Sequence, residues 1–252
     1  MNIISNKTFD EERALYALRN TRVENCLFAG KADGESALKE ASDIEIEDCR
    51  FSLRYPLWHT TGFSVKNCRM DDTARAAMWY CDNGTIDGLV TDGIKGLREC
   101  ENIKLMNITA VSPEFGWKCR NISFENAGIT GDYFLLDSTG LTLKNVKLNG
   151  KYSFQYNREL TLENCELNTK DAFWHAENVT VKNCKVRGEY LAWYSDHLTL
   201  DNCKIIGTQP LCYCTNLKLI NCEMIDTDLC FEKSEVEATI TTPVESIKNP
   251  YL

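Results

Sequence analysis

The feature that most constrains this chain is an asparagine that recurs every 19 residues. The spacing holds six times in succession from Asn107 to Asn221, and the equivalent positions before it are 19 to 23 residues apart. Repetition at a fixed period of this length is typical of solenoids, in which each repeat stacks on the next. The positions are Asn25, Asp48, Asn67, Gly88, Asn107, Asn126, Asn145, Asn164, Asn183, Asn202 and Asn221.

The residues around each asparagine alternate between apolar and polar, which indicates β-strands. Apolar side chains lie two and four residues before it, as Leu162 and Leu160 do before Asn164, and a small or apolar residue follows it. A period of two is that of a strand, and no part of the repeat has the spacing of a helix. Three short strands fit one repeat, so each strand is expected to pair with its equivalent one coil later, roughly 4.8 Å away.

The predicted fold is all-β, a single-stranded right-handed parallel β-helix of about 11 to 12 coils of about 19 residues each. We expect one domain over residues 1–252, with an N-terminal cap or first coil at 1–20 and a C-terminal cap at 234–252, because open coils expose unpaired strand edges. The competing fold is a leucine-rich repeat, which has two residues before its asparagine and a helical return. One residue intervenes here and the return is aromatic and strand-like, which favours the β-helix.

The bend asparagine and the cysteines have structural roles in this prediction. A sharp bend between strands requires a residue that tolerates positive φ, for which Asn is the best candidate after Gly. Stacked Asn side chains can also hydrogen bond to one another along the axis. Most of the 13 cysteines lie beside the bend or in a second column of small residues, where we expect them to pack in the core. No CxxC pair occurs, so we expect no metal and no cofactor.

Charge and hydropathy narrow the expected partners. The formal net charge is −9 and the isoelectric point about 5.0, which argues against nucleic acid, whose phosphates require a dense Lys and Arg surface, and against an anionic membrane. No apolar run of about 18 residues suggests a membrane span. Since the N-terminus has no apolar stretch of signal-peptide length, we expect a cytoplasmic location. The residues favour no particular oligomeric state.

Short segments along the chain carry a family resemblance. They are residues 33–36 (DGES), 55–58 (YPLW), 97–100 (LREC), 131–134 (GDYF), 152–154 (YSF) and 206–214 (IGTQPLCYC). Nearly the whole chain resembles an uncharacterised bacterial family, domain-of-unknown-function family 3737, within the pectate-lyase-like right-handed β-helix superfamily. The resemblance implies the fold and no assigned activity. The calcium-binding acidic cluster and arginine base of pectate lyases are missing, as are the aspartate motifs and Gly-His-Gly of polygalacturonase-type hydrolases.

The third segment of each coil is where we expect a site. One position is mostly apolar, the next carries the tryptophans, and the one after carries aromatic and charged residues. Strict alternation directs the tryptophans away from the apolar column. Because Lys39, Arg98 and Glu232 share the tryptophan column and charges are rarely buried unpaired, we expect this column to face solvent. The alternative is that the tryptophans fill a wide core.

An exposed row of aromatic rings beside polar groups suits sugar rings, and exposed apolar patches usually bind something. Asp137 and His175 are the candidate catalytic residues; they lie two coils apart, roughly 10 Å, too far for a direct hydrogen bond although a substrate could bridge them. The residues predicted to bind the ligand are Trp58, Trp79, Arg98, Glu99, Trp117, Tyr156, Trp174, Trp193 and Tyr194.

Two functions are therefore open. The first is a binding or scaffold protein with a carbohydrate-binding aromatic face, which the missing catalytic motifs favour. The alternative is a carbohydrate-active enzyme, similar to a polysaccharide lyase or glycoside hydrolase, that acts on an acidic or neutral oligosaccharide. Turnover that depends on Asp137 or His175 would distinguish the second from the first.

Overall fold

The computed structural model describes residues 1–249, and their regular elements are short parallel β-strands. The fold class is the predicted right-handed parallel β-solenoid, with no helix in the described residues. The chain divides into two compact units, Met1–Ile129 and a second that begins at Thr130. Within each unit, strands pair in parallel with their equivalents one coil away, in the register that the asparagine spacing predicts.

In the first unit, a longer strand before the bend alternates with a short strand after it. The strands are β1 (Asn2–Ser5), β2 (Thr8–Phe9), β3 (Arg19–Glu24), β4 (Leu27–Phe28), β5 (Ser42–Glu47), β6 (Arg50–Phe51), β7 (Thr61–Lys66), β8 (Arg69–Met70), β9 (Met78–Trp79), β10 (Asp82–Asp87), β11 (Val90–Thr91), β12 (Leu97–Arg98), β13 (Glu101–Met106), β14 (Thr109–Val111) and β15 (Arg120–Thr130).

In the second unit the same order continues, and some strands run through the bend without a break. The strands are β16 (Thr139–Lys151), β17 (Arg158–Glu163), β18 (Glu166–Lys170), β19 (Glu177–Lys182), β20 (Lys185–Arg187), β21 (Asp196–Asp201), β22 (Lys204–Ile206), β23 (Leu217–Ile225) and β24 (Val236–Ile240).

The described residues form about 13 turns, slightly more than the sequence predicts. Strand β1 pairs with β3, so residues 1–20 contain a complete first coil. Strand β24 pairs with β23, so the predicted C-terminal cap begins with one more coil strand. The remainder of that cap and the one-domain organisation stay predictions, and residues 250–252 lie outside the described part of the chain.

The core of each unit consists of columns of apolar side chains that repeat at coil spacing. In the second unit, Leu160 lies opposite Val179 and Val179 opposite Leu198, and all three are 1% exposed. Phe154 stacks on Phe173 with ring centroids 5.1 Å apart. One coil cannot bury these faces by itself, so the stacking of equivalent residues is what removes them from water.

The bend residues adopt the left-handed backbone conformation that the sequence predicts. Values of φ are 52° at Asn183, 53° at Asn202 and 73° at Gly88. Some neighbouring bend side chains are also bonded: Asn202 Nδ2 donates to Asn183 Oδ1 at 2.8 Å, and Asn126 Nδ2 to Asn107 Oδ1 at 3.4 Å. These conformations cost other residues roughly 1–2 kcal/mol each, which explains why the sequence repeats Asn at this point.

The third segment differs from the predicted strand. Except for the two-residue strands β9 and β12 it is a series of turns, and in the second unit alternate residues of it have positive φ, as at Phe154 (62°) and Tyr156 (59°). Left-handed residues at every second position turn the chain continuously, so the prediction of three strands per coil was wrong here. The reason is that closing a coil within 19 residues requires continuous turning between the second strand and the next first strand.

The cysteines are structural, as predicted. All 13 are free thiols and all are buried. Those beside the bend pack on one another from coil to coil, and the backbone N–H of Cys165 donates to Cys184 Sγ at 3.2 Å. Burial raises the pKa of the Cys214 thiol to about 12, which keeps it protonated at neutral pH.

Candidate functional site

Two columns of side chains follow the third segment of each coil. The inner column holds the tryptophans, which directly follow the buried apolar position, and the outer column is the next residue along. The first-unit stripe is Trp58, Trp79, Arg98 and Trp117 with His59, Tyr80, Glu99 and Lys118. The second-unit stripe is Gln155, Trp174 and Trp193 with Asp137, Tyr156, His175, Tyr194 and Tyr213.

The backbone of the outer column lies in the left-handed region in every coil of the two stripes. In the second-unit stripe φ is 51° at Asp137, 52° at His175 and 61° at Tyr194. Both His175 and Tyr194 are exposed, whereas Phe173, two positions before His175, is buried. The bend therefore turns these side chains out of the core, although nothing in the residue types Tyr, His and Asp predicts a shared conformation.

The tryptophans of the first-unit stripe lie outside the core but are only partly exposed. Trp58 stacks on Trp79 with centroids 5.2 Å apart and planes 6° from parallel. Each indole Nε1–H donates to a backbone carbonyl of the following coil, that of Ala76 at 2.7 Å for Trp58 and that of Lys95 at 2.8 Å for Trp79. The ring faces are thus covered by their neighbours, and the ring edges are left for solvent.

Arg98 continues this stack in place of a tryptophan. Its guanidinium carbon lies 5.0 Å from the Trp79 ring centroid and 5.9 Å from that of Trp117, within the range of a cation–π contact. Its Nε also lies 3.5 Å from a carboxylate oxygen of Glu99. The charge that suggested an exposed column is therefore accommodated by aromatic faces on both sides.

The inner column of the second-unit stripe repeats this arrangement. Trp174 and Trp193 stack with centroids 5.5 Å apart, and their Nε1–H groups donate at 2.8 Å to the carbonyls of Tyr190 and Gln209. Gln155 replaces an indole, since its Nε2 donates to the Asp171 carbonyl at 2.9 Å, also 16 residues ahead. The inner column is a structural support that holds successive coils together, with its edges at the surface.

The outer column of the second-unit stripe is an exposed stack of rings. His175 lies between Tyr156 and Tyr194, with centroid distances of 5.2 and 5.0 Å, and Tyr194 stacks on Tyr213 at 4.9 Å. Tyr156 is 49% exposed and Tyr194 46%. The hydroxyl of Tyr213 donates to Glu232 at 3.3 Å. Desolvation, and to a smaller extent the charge of this carboxylate, raises the pKa of the phenol, so the hydroxyl stays a donor.

The first-unit stripe has a shorter outer aromatic stack. His59 and Tyr80 stack at 4.8 Å, and Tyr80 is 38% exposed. Glu99 follows Tyr80 in the column and pairs with Arg98, and Lys118 follows Glu99. This stripe therefore combines two exposed rings with charged groups, whereas the second-unit stripe has four exposed or partly exposed rings in succession.

The two predicted catalytic residues share the outer column of the second-unit stripe without touching. Asp137 and His175 belong to coils on either side of the one that contains Tyr156, whose ring stacks on His175. The intervening ring blocks a direct proton transfer between them, and only a ligand that passes along the stripe would contact both.

Among residues 1–249, no group of three or more His, Cys, Asp and Glu side chains is arranged to hold a metal ion. No helix in that part of the chain has the length and apolarity needed to cross a membrane.

Sequence reasoning missed a second surface, on the outward side of the second strands of the second unit. Lys147, Lys185 and Arg187 meet there around a groove, with the amides of Asn149 and Asn168. The signal in the sequence is the separation of Lys147 and Lys185 by two repeats.

Solved structures that resemble this chain have the same fold at very low sequence identity. One is described as "complex structure of alginate lyase AlyF-OU02 with G6", with a TM-score of 0.58 and 8% identity, covering 98% of this chain and 80% of the other. Another is described as "a new PL6 alginate lyase complex with trisaccharide", with a TM-score of 0.56 and 7% identity, covering 96% and 80%. At such identity the likeness establishes the fold alone.

A search of curated proteins gave no match. A family model described as "Protein of unknown function (DUF3737)" matches residues 2–252, which is nearly the whole chain. The match agrees with the resemblance of the short segments, and the neighbouring structures share the β-helix fold. The chain belongs to the DUF3737 family.

Proposed function

We propose that this protein is a carbohydrate-binding β-helix protein that uses the second-unit stripe without catalysing a reaction. The observation that carries the proposal is the exposed ring stack Tyr156, His175, Tyr194 and Tyr213, whose members repeat at 4.9–5.2 Å. Stacked rings with polar tips present an apolar edge and hydrogen-bonding groups together, which is the combination that sugars require.

The geometry supports an extended saccharide that runs along the stripe, in contact with ring edges and polar tips. The ring faces are already occupied by the neighbouring rings, so stacking of a sugar on a tryptophan face is not part of the proposal. Tyrosine hydroxyls and the histidine nitrogens can both donate and accept hydrogen bonds. Two alginate lyases of this fold were solved as complexes, one described as bound to a trisaccharide and one to G6, which supports the substrate class by analogy of fold only.

The enzyme alternative has less support. General acid–base catalysis requires two groups within hydrogen-bonding reach of the same reacting bond, and Asp137 and His175 are separated by the coil of Tyr156. The stripe also follows successive coils as a continuous row rather than forming an enclosed cavity. We therefore infer binding rather than turnover.

We also propose a reducing compartment such as the cytoplasm. The support is that 13 free thiols occur in one chain, several stacked directly on one another from coil to coil. Proteins of oxidising compartments rarely keep so many cysteines unpaired.

The test is binding of the protein to a panel of neutral and acidic oligosaccharides, measured by intrinsic tryptophan fluorescence and by calorimetry. Tyr194→Ala is expected to weaken the binding about tenfold, since an exposed aromatic contact is removed. Tyr133→Ala is the matched control, because Tyr133 is also exposed, stacked on another tyrosine and in the left-handed conformation, but lies outside the stripe.

Three results would contradict the proposal. They are the absence of binding to any oligosaccharide, equal losses in Tyr194→Ala and Tyr133→Ala, and turnover of a saccharide that Asp137→Ala or His175→Ala abolishes. The last would establish the enzyme alternative.

A further inference from the structure

The groove of the second unit lies on the outward side of strands β16, β18 and β20. It encloses about 300 Å³, a volume at the lower end of the range for ligand sites. Its side chains form two rows at coil spacing, Lys147, Glu166 and Lys185 in one row and Asn149, Asn168 and Arg187 in the other. The strand register aligns these rows with the axis of the unit.

Two cations of this groove have no carboxylate partner. Lys185 pairs with Glu166 at 3.1 Å, but neither Lys147 nor Arg187 has an ion pair or side-chain hydrogen bond within the described residues. The lining thus holds three cations and one carboxylate, in a protein whose formal net charge is −9. A positive groove on an otherwise acidic protein raises the local concentration of anions.

The amides between the cations add hydrogen-bonding groups that are not charged. Asn168 Nδ2 donates to Asn149 Oδ1 at 3.2 Å, which leaves Asn149 Nδ2 as a donor and Asn168 Oδ1 as an acceptor for a ligand. Arg187, next to Asn168 in the row, can bind a carboxylate through two parallel N–H groups. The groove therefore offers hydrogen-bonding and charged partners for both carboxylates and hydroxyls.

The spacing of the charges distinguishes an acidic saccharide from a nucleic acid. Lys147 and Lys185 are two coils apart, roughly 10 Å, whereas a nucleic acid requires a dense row of Lys and Arg contacts to successive phosphates. Single-stranded nucleic acids also use aromatic side chains as stacking platforms, and none lines this groove. A sparse row of cations with amides between them fits a chain that has both carboxylates and hydroxyls.

We propose that this groove is a binding site for an acidic oligosaccharide, with its carboxylates on Lys147 and Arg187 and its hydroxyls on Asn149 and Asn168. The site is independent of the second-unit stripe, because the groove is built on the second strand of the coil and the stripe on the third segment.

The experiment is calorimetric titration of the full chain with short oligomers of galacturonate, mannuronate and guluronate. A neutral glucose oligomer and an oligothymidylate serve as comparison ligands. We expect one of the uronate oligomers to bind and its affinity to fall with added salt. Arg187→Gln and Lys147→Ala should each weaken it about tenfold, the loss of one charge-assisted contact.

Lys144→Ala is the matched control, because Lys144 is an exposed lysine of the same strand, β16, outside the groove. It should leave uronate binding unchanged, as should Tyr194→Ala for the salt-dependent binding at the groove. Binding that Tyr194→Ala weakens and the groove substitutions do not belongs to the stripe, so a failure of the stripe proposal and a failure of this one are separate results. The inference is overturned if no uronate oligomer binds, if the groove substitutions weaken the neutral oligomer as much as the uronates, if oligothymidylate binds more tightly, or if uronate affinity survives both groove substitutions.

Discussion

At the scale of single residues, left-handed backbone recurs at several corners of the coil, among them the asparagine bend and the outer column. At the bend it coincides with Asn, Asp or Gly, whereas in the outer column it occurs at Tyr156, His175 and Tyr194. Asn tolerates this conformation best among residues other than Gly, so the first corner is readable from sequence. Aromatic residues there must be held by their neighbours in the stack.

The bend asparagine can be tested at Asn183, whose φ is 52° and whose Oδ1 accepts from Asn202. Asn183→Ala is expected to lower the free energy of unfolding by about 1–2 kcal/mol, because it adds backbone strain and removes the bond. Asn183→Gly keeps the conformation and loses only the bond, so it should cost less. Urea titration measures both, and an Ala variant no less stable than the Gly variant would contradict this explanation.

Asp196 makes stability depend on pH. Hydrogen bonds from Asn216 and Thr215, with a smaller contribution from His197, lower its pKa to about 2. A carboxylate whose folded pKa is below its unfolded value stabilises the protein above the unfolded pKa, and this contribution disappears as pH falls through the folded value.

Asp196→Asn should therefore be less stable than the wild type near neutral pH, and the difference should shrink between about pH 4 and pH 2. Thermal unfolding across this range measures it. Asp226→Asn is the control, because Asp226 is an exposed carboxylate outside the hydrogen bonds that Thr215 and Asn216 make to Asp196. A difference for Asp196→Asn that stays constant down to about pH 2 would show that the carboxylate charge is not responsible.

At the scale of elements, the first strand of each coil follows the sequence most closely. Its alternation of buried and exposed residues matches the predicted period of two, as in β17, where Leu160 and Leu162 are buried and Thr161 is exposed. The third segment was not predictable in the same way, because its alternating apolar residues indicate a strand, whereas the structure has successive turns there. Apolar residues on alternate positions do not distinguish these two conformations.

Leu162 tests the stacked core, since it is fully buried and lies between Leu143 and Val181. Leu162→Ala should lower the free energy of unfolding by about 2–5 kcal/mol through lost burial and the remaining cavity. Thr161→Ala, one residue away on the exposed side, should change it by no more than about 0.5 kcal/mol. Similar losses in the two variants would contradict the assignment of the inner face.

At the scale of the whole molecule, sequence predicted the fold class and most of the core but only part of the candidate sites. The tryptophans were predicted to face solvent, and the structure has them outside the core yet stacked and partly buried, because each indole bonds to the next coil. The groove around Arg187 depends on which side of the second strand faces out and on which cations lack partners. Such information appears only when the coils are stacked.

Protection of the thiols is a property of the entire molecule. Because all 13 cysteines are buried and burial raises the pKa of Cys230 to about 11, we expect the native protein to react with a thiol reagent only as fast as it unfolds. The rate at which the reagent modifies the thiols, with and without denaturant, measures this. Rapid modification of several cysteines in the native protein would contradict the assigned core.

The fold and the stripe both depend on the alignment of residues 19 apart into continuous columns. Proton–proton NOEs within the outer column test this alignment most directly. The predicted result is a set of NOEs from the His175 ring to the rings of both Tyr156 and Tyr194, whose centroids lie 5.2 and 5.0 Å away. An assigned His175 ring with NOEs to neither tyrosine would contradict the coil register and, with it, the stripe on which the proposed function rests.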